Sequence, residues 1–443
     1  MQRIQTSPDR GRAALGPALA LIHTGAAPTR SALTSALGVT RATAGAITGE
    51  LEALRLITVD ARPAGGTRGR PSHRLAVDPS GPVVVAAQIH ADGFSVALAG
   101  LGGRLGEPVD LPLPRPSTPV RLLRAVIDEA VRQVAADPRR CVGLGLAVPT
   151  PVALPDRTAV AAMYLDWPLG TRVGDELQWA AAHGGLSLPV DVANDANLAA
   201  LAEHRHGAGR GSRHLLYVTS GHRGVGGALV VDGRLHTGSS GLALEVGQLT
   251  VDPNGRRCPC GNRGCLDVEA DPPALLAAAG RESDGRSMLD QARRVFADAA
   301  AGDDRAIAAV DHVAYRLGLG IAGVINILNP DRVVLGAFHS ALLAAAPERL
   351  PSVVAHRSHW GRCGEIEILP AALERPELAG AAELAWAPVL ADPLEVLVGP
   401  GPSTAGSTGS AGGGAGGGAG GAGRPKQPQP KQPAKQSAAQ LAK

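Results

Sequence analysis

Residues 241–267 read GLALEVGQLTVDPNGRRCPCGNRGCLD. Three of the chain's five cysteines fall in this stretch, at Cys258, Cys260 and Cys265, spaced C-x-C-x4-C. Thiols gathered so tightly read as metal ligands, because an intracellular compartment keeps them reduced. A closed tetrahedral zinc site takes four donors, and the stretch supplies three cysteines. Pro253, Gly255, Gly261 and Gly264 shape the loop as a knuckle around them. Cys141 and Cys363 are read as small buried thiols with no metal role.

The chain has 443 residues, enough for two or three domains with full cores. Aromatic residues make up only 2%, so those cores must be built from Ala, Val, Leu and Ile. The run AALGPALALI at 13–22 contains Gly16 and Pro17 and leads into a helical segment. It therefore reads as part of a domain rather than as a signal peptide. No apolar stretch reaches the roughly 18–20 residues of a membrane span. The expectation is a cytoplasmic chain that does not meet a membrane.

Charge is unevenly placed. Residues 1–80 hold ten Arg against five Asp and Glu, a balance of +5. Residues 400–443 hold four Lys and Arg424 with no acid, also +5. A net charge of +3 leaves the part between them at −7. A basic front on an acidic body points to a polyanionic partner for residues 1–80. The C-terminal stretch is Gly, Ala and Ser followed by PKQPQPKQPAK, which cannot bury enough apolar area to order itself.

The front end predicts three helices. ALALIHTG opens with helical spacing, TRSALTSALGV stops at Gly38, and TRATAGAITGELEALRLI starts from Thr40 as N-cap. Ala44, Ile47, Leu51 and Leu54 share one face of the third helix. The short turn between the last two helices is the signature of a helix-turn-helix. The following LITVDARPAGGTRGRPSHRLAVD reads as strand, loop and strand, a wing. A recognition helix offers its first exposed residues to base edges. Here these are Thr40 toward phosphate, Arg41 toward a guanine edge, and Thr43 toward a thymine methyl or phosphate. Arg68 and Arg70 in the wing loop suit a minor groove.

Beyond Pro82, β-branched runs alternate with Ala- and Leu-rich helical ones. VVVAAQIH, FSVALAG, CVGLGLAV, PVDVAND, LLYVTSG and GALVVDG predict strands; LLRAVIDEAVRQVAA, ANLAALAEHRHG and DHVAYRLGLGIAGVINILN predict helices. That alternation implies an α/β body.

GLGLAVP at 143–149, VANDANLAALAEHRHGAG at 192–209, GVGGALVVDGRL at 224–235, the cysteine stretch, and LGLGIAGVINILNPDRVVLGA at 317–337 follow one another in order. With TRSALTSALGVTRAT and GRPS in front, the chain resembles the ROK family of repressors, open reading frames and kinases over roughly residues 17–390. The resemblance implies a fold of class α/β: an N-terminal winged helix-turn-helix (1–80), then two actin-like (ribonuclease H-like) α/β halves around a sugar cleft (81–395), then a disordered basic tail (396–443).

The resemblance also assigns residues. Asn194 and Asp195 match the pair whose Asp is the general base in the family's sugar kinases. Glu245 matches a second sugar contact, and the family's next two positions, a His and a Glu, are here Gln248 and Asp267, both still able to bond effector hydroxyls. In the family that His is also the fourth zinc ligand, ten residues before the first cysteine. Three outcomes stay open: zinc on three thiolates with water or a nearby group, zinc with Gln248 as a weak oxygen ligand, or a metal-free loop. The reading adopted is a structural zinc held by Cys258, Cys260 and Cys265, bracing the loop that carries Glu245 and Asp267.

Family kinases carry an Asp-Ile-Gly-Gly-Thr-like turn that grips phosphate and Mg²⁺. The matching residues here are Gln88-Ile89-His90-Ala91-Asp92, with an amide for the acid and side chains where glycines belong. ATP is therefore not expected. The implied protein is not an enzyme but a transcriptional regulator, a repressor, that reads a double-stranded operator as a homodimer or homotetramer and binds a sugar or sugar-like effector. A ROK kinase with an appended DNA-binding domain is the alternative. A regulator with a vestigial cleft is another, kept open by Tyr164-Leu165-Asp166-Trp167, where family sugar binders carry Asn in place of Tyr164.

Overall fold

The structure, a computed structural model, describes residues 12–60, 72–113, 117–160, 165, 167–221, 223–364 and 366–399. Arg68, Arg70, Tyr164, Asp166 and the C-terminal tail lie outside the described residues.

The front begins with helices Leu15–His23, Arg30–Leu37 and Arg41–Ala53, followed by an antiparallel pair, Ile57–Asp60 with Arg74–Val77. Each boundary has a local cause. Thr29 caps the second helix by accepting from Ala32 N–H at 3.1 Å, and Gly38 ends it in the left-handed region at φ 63°. Thr40 caps the third helix by accepting from Thr43 N–H at 3.1 Å. Ala44, Ile47 and Leu51 are buried on the predicted face. Leu54 is half-buried instead, because the helix stops at Ala53 and Arg55 turns the chain at φ 58°.

The body holds two sheets. In the first, the order is Val190–Asn194, Cys141–Val148, Val83–His90, Gly93–Gly100, Arg104–Leu105, with Val109–Pro112 also on Gly93–Gly100. In the second it is Arg234–Leu235, Gly226–Val231, His214–Ser220, Arg332–Gly336, Glu367–Pro370. Each sheet has a first strand with an antiparallel hairpin partner on one side and two parallel strands on the other. The same plan occurs twice, as the expected pair of α/β halves requires. All six predicted strands and all three predicted body helices form.

The helix Pro376–Ala391, near the end of the described chain, returns to the first half. It lies on Cys141–Val148 so closely that a β-carbon at Gly145 would sit 2.0 Å from Ala381 O, and one at Gly143 3.2 Å from Ala385 O. Gly143 and Gly145, two apart, line one face of the strand. On its other side, a β-carbon at Gly380 would sit 2.0 Å from Leu198 O on helix Asp195–His206. Contacts join front and body into one unit.

Three expectations need correction. The body does not stop at 395: Asp392 caps a last helix, Pro393–Val398, by accepting from Leu394 and Glu395 N–H at 3.1 Å each. Cys363 is exposed, in the short turn Trp360–Cys363, and Cys141 is only half-buried. Helix Asp304–Leu328 does have the length and mean hydropathy (1.3) of a membrane span. Its scattered Asp and Arg hide that average from a search for unbroken apolar runs. Leu317, Ile321 and Ile325 pack it into the core of the second half.

Candidate functional site

Three places collect the predicted residues. The first is the start of helix Arg41–Ala53. Thr40 and Arg41 are exposed and Thr43 is half-buried. The Thr40 and Thr43 hydroxyls pair at 2.8 Å, so both threonines already hold the helix end. Arg41 makes no ion pair among the described residues, which leaves its guanidinium open to a partner.

The second place is at the C-terminal ends of the parallel strands, where open α/β sheets bind ligands. Strand Val190–Asn194 runs into helix Asp195–His206 there. Asn194 is the N-cap: its Oδ1 accepts from Asn197 N–H at 3.1 Å, and its Nδ2 donates to Thr150 O at 3.2 Å and Asp195 Oδ1 at 3.1 Å. Both ends of this amide are thus engaged in the fold. Asp195 also accepts from Ala196 N–H at 2.7 Å. The Asp195 residue keeps some solvent access, yet protein surrounds its carboxyl; that burial, then Glu377, and more weakly Glu245, push it up to about 7. Glu245 is more open, but desolvation by its surroundings and the Asp267 carboxylate raise it to about 6. The Thr150 hydroxyl beside Asn194, and the Ser220 hydroxyl at the end of strand His214–Ser220 in the second half, each residue 1% exposed, are buried with no hydrogen-bond partner among the described residues. Sequence reading missed Thr150, Ser220 and Glu377, because no motif marks a lone hydroxyl or a helix-start glutamate.

The third place adjoins the second. A β-carbon at Gly226 would sit 2.9 Å from Ala196 Cβ, and Asp267, 3% exposed, accepts from Val225 N–H at 2.8 Å. Asp267 thus faces inward and braces the hairpin. The Cys258, Cys260 and Cys265 sulfurs lie within 4.8 Å of one another. Cys260 and Cys265 are 3.6 Å apart, and Gln248 Oε1 lies 3.8 Å from Cys258 Sγ. Zinc–sulfur bonds of about 2.3 Å in a tetrahedron set sulfurs about 3.8 Å apart. The three sulfurs therefore fit a structural zinc, and beside Cys258 Sγ stand two oxygens, Gln248 Oε1 at 3.8 Å and Asp267 Oδ2 at 3.9 Å. Without a cation, burial and the two neighbouring thiols push Cys265 up to about 12, so three thiolates need a positive charge among them. Gly264 forms the knuckle at φ 61°, where a β-carbon would sit 1.5 Å from Asp252 O. Asp252 in turn pairs with Arg316 of the long core helix at 2.5 Å.

Residues 88–92, matched by resemblance to the kinase turn, end strand Val83–His90 and enter the next hairpin. Ala91 and Asp92 form an exposed hairpin turn. Gly93, the turn's glycine, is used for packing, since a β-carbon there would sit 2.1 Å from Leu111 O. Beside it, Arg375 donates to both oxygens of Asp110 at 2.7 Å, and Asp110 accepts from the Ser95 hydroxyl at 2.5 Å.

The ROK family profile matches residues 85–386. The chain belongs to the ROK family. A glucokinase of Halalkalibacterium halodurans is 36% identical over 210 residues, 44% of this chain and 61% of that protein. A putative xylose repressor of a Caldicellulosiruptor species is 33% identical over 224 residues, 48% of this chain and 54% of that protein. The ROK chain thus spans less than two thirds of the length of each of these two relatives. Among solved structures, a ROK family transcriptional regulator, homolog of the E. coli MLC protein, superposes with a TM-score of 0.71 at 23% identity, over 88% of this chain and 100% of that one. The residues outside an 88% match are fewer than the eighty of the front end, so the shared fold reaches into the front module.

Proposed function

We propose that this ROK protein is a DNA-binding transcriptional regulator, a repressor, whose front module is a winged helix-turn-helix and whose body binds a sugar or sugar-like effector without phosphorylating it. One observation carries the reading. Two helices joined across Gly38 present a threonine-capped helix start with Arg41 exposed, on the same unit as a ROK body. The regulator fold that reaches into the same module supports it. So do His90 and Ala91, whose side chains stand at the places of the two glycines in the kinase turn.

In this reading Arg41 contacts a base edge, Thr40 and Thr43 shape the helix start and meet phosphate, and Arg68 and Arg70 reach into the minor groove. Asp195 and Glu245 accept from effector hydroxyls, with the Thr150 and Ser220 hydroxyls as further partners. Gln248 and Asp267 border that site and belong to the zinc loop. Effector binding changes how paired front modules are held, and the protein loses its simultaneous grip on two half-sites. That coupling needs at least a dimer.

Sequencing of DNA fragments retained by the purified protein tests the proposal. A shared operator sequence, weakened by Arg41→Ala, supports it; no preference for any duplex sinks it. A sugar kinase with an appended front module is the second reading. It is favoured by the identity to a glucokinase and by Asp195 near 7, a value suited to a general base. ATP consumption in the presence of a hexose would establish it.

A further inference from the structure

Three ionisable residues far apart in sequence meet where the front module rests on the body. His23 ends helix Leu15–His23, His206 ends helix Asp195–His206, and Glu383 lies within Pro376–Ala391. Glu383 and His23 are 1% and 2% exposed. His23 Nε2 lies 2.9 and 3.0 Å from the two Glu383 oxygens, and His206 Nε2 lies 2.9 Å from Oε1. Arg205 donates to the other oxygen through Nη1.

Spacing alone would allow a metal ion among His23, His206 and Glu383. The protons exclude it. Gly102 N–H donates to His23 Nδ1 at 2.9 Å, so that nitrogen carries no hydrogen. The proton of the neutral ring is therefore on Nε2, which donates to Glu383 and is not free to bind a metal. The Arg205 guanidinium on the same carboxylate also takes the place a cation would fill.

The cluster is built to fit. Gly102 and Gly103 turn at φ 79° and 70°. A β-carbon at Gly103 would sit 2.8 Å from the His206 ring, and one at Gly102 3.2 Å from Val77 of the front sheet. Next to His23, Thr24 O accepts from Arg210 at 3.1 Å. Truncating one partner of such a buried, charged hydrogen-bond set leaves the others unpaired, a larger loss than an ordinary hydrogen bond.

Helix Asp195–His206 connects this cluster to the candidate effector site. It begins with Asp195 and ends with Arg205 and His206. Its twelve residues span roughly 18 Å at about 1.5 Å per residue. Helix Pro376–Ala391 presses against it near its start, where a β-carbon at Gly380 would meet Leu198 O at 2.0 Å, and reaches its far end through Glu383, so one helix touches both ends of the other.

The geometry points to Glu383 as the positioning residue that seats the front module on the body, with helix Asp195–His206 carrying the state of the Asp195 site to it. This deepens the regulator reading, on which its functional meaning rests, by naming the route from effector to DNA.

The test uses the full chain as wild type, E383Q, H23Q, D195N and the E383Q/D195N double variant. Hydrogen–deuterium exchange is followed at residues 15–24, with strand Arg332–Gly336 of the second half as internal reference. We expect E383Q and H23Q each to speed exchange at 15–24 by roughly tenfold or more without altering the reference strand. D195N should change exchange at 15–24 by about threefold, an effect lost in the E383Q background. H23Q alters only the front side of the cluster, so it serves if E383Q does not fold. Wild-type exchange at 15–24 in H23Q, or a D195N effect that persists without Glu383, overturns the proposal. Anisotropy on a random-sequence duplex at low salt separates this from the regulator reading. Exchange that responds as expected in a protein that binds no duplex removes the regulator and leaves the role of Glu383. Duplex binding with unresponsive exchange does the reverse.

Discussion

At the scale of single residues, Asp195 sets the sharpest expectation. Its carboxyl is raised from 3.8 to about 7 by burial first and by Glu377 second. The folded state therefore holds a proton that the unfolded state releases between about pH 4 and 7. Stability from this group is highest at low pH and falls as pH rises through 7. Asp195→Asn removes that cost while its side-chain oxygen can still accept from Ala196 N–H. The variant should melt above wild type at pH 8, with the difference closing toward pH 4, as thermal unfolding across that range will show. Glu245, raised to about 6, adds a slope of the same sign. Sequence reading placed Asp195 and Glu245 together but could not see that Asn194 next door is spent on capping. Asn and Asp before a helix satisfy its first N–H groups as readily as they bind a ligand, and only coordinates tell which atom is left over.

At the scale of elements, glycines and thiols make distinct predictions. Gly145→Val should destabilise the body by about 1–3 kcal/mol in chemical denaturation, since Ala381 O already occupies the place of its β-carbon. Thr40→Ala should cost about 1 kcal/mol through the lost helix cap. A loss of DNA affinity in that variant is therefore to be compared with Arg41→Ala, which leaves the cap intact. In the cysteine loop, metal analysis of the purified protein should find one zinc per chain, and Gln248→His should hold it more tightly against a chelator. A protein that stays metal-free even as Gln248→His would remove zinc from the account. The loop's spacing was plain from sequence because all three thiols fall within eight residues. The placement of Gln248 Oε1 beside them followed from a resemblance in sequence and from a 3.8 Å separation in space.

At the scale of the whole molecule, the proposed DNA contact is electrostatic at its base. Affinity should fall steeply with salt, and Arg41→Ala should relax sequence preference more than it flattens that dependence. Binding isotherms at several salt concentrations, on matched and random duplexes, measure both. The two sheets share one plan around their first strands. The front module is seated by the same helix, Pro376–Ala391, that closes the first half. A β-carbon at Gly16 of the front would sit 2.4 Å from Ala391 O at that helix's end.

The amino-acid sequence alone determined what depends on neighbours along the chain. Threonine caps, Gly38, alternating strands, helical spacing and the cysteine interval act over a few residues, so the elements and the family resemblance were readable from them. Tertiary structure alone decided which distant residues share a charge, a proton or a wall. His23 reaches Glu383 across 360 positions and His206 reaches it across 177. No local spacing encodes such meetings, because they follow from the return of one late helix to an early sheet. The physical cause is close packing: the helix finds its place where Gly143 and Gly145 leave room for its backbone.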